Sequence, residues 1–120
     1  MPKTTHFSLI LLLILFSFTT FAQSTILRGS WSVNPALAEY SLDKNNGDRN
    51  MILEIKFDTP FEKTPEIILS VSQLDADKNS NLRYKAEAVS VSKDGFTIKV
   101  RTWADSRIFS MSGYWLAAAD

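Results

Sequence analysis

Two side chains offer binding chemistry by type and spacing: Trp103 and Arg83. Trp103 continues the alternating series Thr97, Lys99 and Arg101, which faces away from the apolar series Phe96, Ile98 and Val100. An indole on a charged face exposes a large apolar plane. Either the strand stops at Thr102 and the ring folds over the rim of the core as a lid, or the ring is a stacking platform. In the second case the C–H-rich face of a pyranose packs on it, and the indole keeps water from adjacent hydrogen bonds. Arg83 falls on the outward parity of the preceding segment. A hairpin turned at Lys93, Asp94 and Gly95 brings Arg83 and Trp103 together at its open end. A guanidinium carries fixed N–H donors suited to sugar hydroxyls or a carboxylate. The alternative for Arg83 is a surface salt bridge to Glu87 or Asp105, which contributes little.

Other chemistry is closed off by composition. The chain has no cysteine, and its one histidine is His6, in a segment expected to be removed. A mature domain without either residue holds no Ser-His-Asp triad, no thiolate nucleophile and no ordinary zinc site. Carboxylate mechanisms stay open, but no spacing among the thirteen acids singles out a pair. The run Asp75, Ala76, Asp77, Lys78, Asn79 begins like a calcium loop, then departs from it with Ser80 at position six and Ala86 at position twelve. A solvated loop is the better account, and neither metal nor cofactor is expected. With 13 basic and 13 acidic residues the formal net charge is zero, which makes nucleic acid and anionic membrane poor partners.

Those residues need a scaffold, and the period of the sequence supplies it. At 120 residues the chain fits one domain. Residues 1–22 read as a secretory signal peptide: Lys3, an apolar run over 7–18, then Thr20 and Ala22 at the −3 and −1 positions of a cut. The alternative is an uncleaved anchor, but the apolar run falls well short of the ~20 residues a spanning helix needs. The mature chain is therefore expected to start at Gln23, to be secreted, and to form a domain over 23–120. With no disulfide available, the fold must rest on its apolar core; 45% hydrophobic and 12% aromatic residues suffice for that.

After Gln23 the chain alternates with period two. Met51, Leu53, Ile55 and Phe57 oppose Ile52, Glu54, Lys56 and Asp58; Ile67, Leu69 and Val71 oppose Ile68, Ser70 and Ser72. Leu82, Tyr84, Ala86 and Ala88 oppose Arg83, Lys85 and Glu87, and a β-bulge near Ala88 would explain why Val89 and Val91 then carry the apolar parity. Trp31 falls on a short first strand, and the last strand covers about 109–118, with Met111 and Trp115 on one side. The expectation is all-β: a six-stranded antiparallel β-sandwich, least regular over 34–50.

Five pieces in order then resemble a family. They are Ile68 through Asp75 (ILSVSQLD), Asn81 through Ala86 (NLRYKA), Val91 through Phe96 (VSKDGF), Thr102 through Met111 (TWADSRIFSM) and Tyr114 through Ala117 (YWLA). In order and spacing they resemble the H-type lectin domain over nearly all of the mature chain. The resemblance implies a trimeric β-sandwich that binds galactose or N-acetylgalactosamine in a shallow site near the subunit interface, and no catalysis. It assigns sugar contact to Arg83, after Asn-Leu, and to Trp103, after Thr. Where snail agglutinins of the family place a sugar-contacting histidine after the tryptophan, this chain has Ala104; Asp105 beside it offers an acceptor instead. The family's acidic residue before the second strand corresponds to Asp48 with a small gap, or to Asn46 without one. Val100 stands at a cysteine position of the agglutinins, so the trimer is expected to be noncovalent. The implied function is a secreted glycan-binding lectin; the rival is a structural or adhesion module of the same fold that contacts protein.

Overall fold

The computed structural model describes residues 24–44 and 46–120. The expected signal peptide and the cut before Gln23 lie outside the described residues. Seven strands follow in order: β1 (Thr25–Val33), β2 (Arg49–Lys56), β3 (Glu66–Leu69), β4 (Gln73–Ala76), β5 (Lys85–Val89), β6 (Gly95–Thr102) and β7 (Ile108–Ala119). All their pairings are antiparallel. One sheet has the order β1-β7-β3, with β4 also on β7; the other has the order β2-β6-β5. This is the expected β-sandwich, with one strand more than the six expected.

The extra strand is β4: the expected third strand stops at Ser72, and Asp75 and Ala76, expected to begin a solvated loop, instead pair with Ser110 and Ile108 of β7. Leu69 pairs with Trp115 and Gln73 with Ser112, so four steps along one strand match three along the other. That is a bulge. Across it Ser70 N–H donates to the Tyr114 carbonyl at 2.9 Å, and the Ser70 hydroxyl accepts from Tyr114 N–H at 3.1 Å. The hydroxyl stands in for a carbonyl that is turned onto Gly113 instead. A Cβ at Gly113 would overlap that Ser70 oxygen. Gly113→Ala is expected to cost roughly 1–3 kcal/mol through forced backbone displacement, read as a lower urea midpoint.

The two alternating series meet inside. Phe96, Ile98 and Val100 of β6 are buried, as are Met51 of β2, Met111 and Ala117 of β7, and Trp31 and Val33 of β1. At one end Phe57 packs on Phe61, Phe96 and Trp115 at centroid distances of 5.0, 5.8 and 5.9 Å. Each fully buried large apolar side chain contributes about 1.5–3 kcal/mol, which gives a domain without disulfides its stability. The loop over 34–48 is irregular but anchored: Leu42 is fully buried, its carbonyl accepts from Ile108 N–H at 2.8 Å, and the Tyr40 hydroxyl donates to the Ile108 carbonyl at 2.7 Å. Burial, then the nearby Asp43 carboxylate, pushes the Tyr40 phenol up to about 12. It thus stays protonated at neutral pH, and its contribution to stability, complete below the ordinary value of 10.0, is lost as pH rises from there through about 12.

Three local expectations are corrected. The register of β5 on β6 runs without a bulge through Ala88 to Val89; the parity changes because β5 ends there and Ser90 takes φ 53°. Leu82, Arg83 and Tyr84 precede β5 rather than lying on it, and Leu82 and Tyr84 are exposed. The turn before β6 spans residues 90–94, and Gly95 opens the strand because a Cβ there would strike the Ile55 carbonyl.

Candidate functional site

At one end of the β2-β6-β5 sheet three segments emerge together. Arg49 pairs with Thr102, so residues 47–48 enter β2 beside residues 103–106 leaving β6. Lys85 pairs with Arg101, which aims the segment before β5 at the same place. The Thr102 hydroxyl donates to the Arg83 carbonyl, and the Ser106 hydroxyl donates to the Asn81 carbonyl. These bonds lace residues 81–83 to the end of β6.

On this rim Trp103 is half-buried and stands outside the core cluster. β6 does stop at Thr102, yet the indole does not close over the core. One of its faces carries the Arg101 guanidinium, 5.0 Å from the ring centroid. Cation–π contacts of this sort contribute about 0.5–1 kcal/mol where solvent reaches them. The same guanidinium reaches Asp48 at 3.3 Å. Arg83 pairs with Asp105, and Glu87 pairs with Lys85 at 3.3 Å. The Arg83 hydrogen bond holds the Asp105 carboxyl below its ordinary value. A depressed carboxyl contributes above the ordinary carboxylate pKa, and the contribution is lost as pH falls through the depressed value, so the pair persists at every neutral or mildly acidic pH.

Four of the five residues expected from the sequence therefore share one rim: Arg83, Trp103, Asp48 and Asp105. The carboxylates stay accessible, with 71% of the Asp48 side chain and 57% of the Asp105 side chain exposed. Asn46 is exposed in the same loop, and among the described residues its side chain makes no hydrogen bond. Between Trp103 and Asp105, Ala104 takes φ 55°, a left-handed conformation that L-residues other than glycine adopt only where the surroundings impose it. Its methyl group offers no hydrogen bond.

Two arginines on this rim are not singled out by the sequence reading. Arg101 falls on the outward face, but nothing in the alternation links it to Asp48. Arg49 does carry a signal: it shares the inward parity of Met51, Leu53 and Ile55, an unusual place for a cation. It is buried, 7% exposed, and donates to the carbonyls of Gly47, Ser106 and Ala104 at 3.0, 2.8 and 2.7 Å. Desolvation lowers its pKa, while the Asp43 and Asp48 carboxylates oppose that shift. Elsewhere Asp77, the centre of the calcium-like run, pairs with Arg107 at 3.6 Å and accepts from Asn79 N–H at 3.0 Å. It stabilises a turn.

The profile of the H-type lectin domain matches residues 52–118. That is more than half of the chain, and the chain belongs to the H-type lectin domain family. A protein of Fuscovulum blasticum named ATP synthase subunits region ORF 7 is 36% identical over 72 residues, which are 60% of this chain and 63% of that protein. A discoidin-1 polypeptide of Dictyostelium discoideum is 24% identical over 80 residues, 66% of this chain and 32% of that protein. Discoidin II of the same organism superposes with a TM-score of 0.72 at 19% identity, over 84% of this chain and 38% of that one. The chain thus spans under two thirds of the length of each of these relatives. A lectin domain is a carbohydrate-binding class of protein. Among the described residues no helix is long and apolar enough to cross a membrane.

Proposed function

We propose that this chain is a secreted lectin that binds galactose or N-acetylgalactosamine-type glycans through Trp103 and Arg83, without catalysis. One observation carries the reading: an accessible indole, two arginines and two exposed carboxylates converge on a single rim. In this reading the indole face opposite Arg101 takes the C–H face of the sugar. Arg83 donates to ring hydroxyls, and Asp48 or Asp105 accepts from them. Asn46 lies within the same loop as an alternative acceptor. Ala104 supplies no polar contact, so selectivity for an N-acetyl group is expected to be modest.

One shallow site of this kind binds weakly, on the order of millimolar, and copies facing one way gain by avidity. A noncovalent trimer provides them. Support comes from the outer face of the β1-β7-β3 sheet, where Ile26, Ile68 and Tyr114 are 59%, 65% and 62% exposed. Ile68 and Tyr114, with Leu116 and Arg28, border a groove of 630 Å³. Ile52, equally exposed, lies on the opposite sheet and does not extend that patch. Apolar area of this kind on one face suits burial against copies of the chain in a closed ring.

The test is a glycan array probed with the chain from Gln23 onward, together with sedimentation at micromolar concentration. Galactose-type ligands and a mass three times that of the chain are expected. An array without hits supports the adhesion module that contacts protein, and a sedimenting monomer removes the trimer.

A further inference from the structure

The residues of the rim hang on segments that the sheets do not hold. β2 begins at Arg49, just after Asp48, and β6 ends at Thr102, just before Trp103. Something other than ladder hydrogen bonds must therefore fix Asp48, Trp103 and Asp105 relative to one another. The buried guanidinium of Arg49 does this. Its Nε holds the Gly47 carbonyl, one residue before Asp48. Its Nη2 holds the Ala104 carbonyl, between Trp103 and Asp105, and its Nη1 holds the Ser106 carbonyl.

The strained backbone at Ala104 lies within this grip. A non-glycine residue at φ 55° persists only where its surroundings over-determine it, and a charge-assisted bond to its own carbonyl is such a constraint. From Ser106 the chain of bonds continues to Asn81, two residues before Arg83. One planar fork thus ties together all three segments that carry the rim. Lysine cannot replace it, because an ammonium presents its donors from a single nitrogen and cannot reach carbonyls on both loops at once.

We infer that Arg49 is the positioning residue of the glycan site: it touches no sugar, and it sets the relative placement of Asp48, Trp103 and Asp105. This rests on the rim being the glycan site, so the test includes a readout that needs no sugar. In an amide correlation NMR spectrum each of the three tryptophans gives one indole N–H signal. In Arg49→Lys the Trp103 signal is expected to move or broaden, while those of the buried Trp31 and of Trp115 stay in place. Glycan affinity is expected to fall about tenfold or more, the equivalent of one charge-assisted hydrogen bond. Guanidinium ion, added to Arg49→Ala well below denaturing concentration, is expected to restore both the signal and part of the affinity.

A Trp103 signal unchanged in Arg49→Lys overturns the inference whatever the sugar result. So do three indole signals that move together, since they mean a general loss of packing. If Arg49→Lys does not fold, Arg49→Gln, a planar donor without charge, is read by the same signals and the same criteria. Absence of glycan binding in the parent chain counts against the proposed function alone, and the indole signals still decide the role of Arg49.

Discussion

Trp103→Ala is expected to abolish detectable glycan binding while changing stability by no more than about 1 kcal/mol. The indole sits outside the core cluster, so its removal opens no cavity in the sandwich. What stability is lost is the cation–π contact with Arg101. In the proposed binding mode the same ring is the apolar plane on which a sugar is expected to stack. Arg83→Ala is expected to act alike, because a bond to a charged donor contributes about 1.5–3 kcal/mol. Starting from a weak parent site, either loss carries the affinity out of the measurable range. Titration against the best array ligand, with a thermal melt of each variant, is the check. A Trp103→Ala protein that binds normally and melts far lower would make the ring a structural lid and remove the site assignment.

Trp115→Ala is expected to do the opposite, costing roughly 3–5 kcal/mol of stability, enough to unfold or aggregate a domain of this size. Its indole packs edge-on against Phe96 at 5.5 Å and against Phe57 at 5.9 Å, and it occupies the space a side chain at Gly29 would need. Truncation would remove one ring from the aromatic cluster around Phe57, and Gly29 has no side chain with which to fill the gap. Chemical denaturation read by far-UV circular dichroism is the measurement. A Trp115→Ala domain as stable as its parent would mean that the cluster contributes little. The contrast between two tryptophans only twelve positions apart separates binding from folding in a single pair of variants.

Much of this division was legible in the sequence. A strand places successive side chains on opposite faces by local geometry alone, so alternation told which residues of β2, β6 and β7 point inward before any partner strand was known. The same parity marked Trp103 as lying off the core, and the absence of cysteine and of any histidine beyond His6 closed off whole classes of chemistry. What alternation does not encode is which distant segments abut. The Arg101–Asp48 pair and the grip of Arg49 on Ala104 and Ser106 join positions more than fifty residues apart. Arg49 binds main-chain carbonyls, which every residue possesses, so its partners leave no mark on the sequence. The break between β3 and β4 likewise depends on Ser70 turning its carbonyl onto Gly113 of another strand. Sequence by itself determined the faces of the strands and the kinds of groups available, because those are local properties. The tertiary structure alone decided which loops meet at the rim and what holds them there, because those contacts exist only once the two sheets have closed on one another.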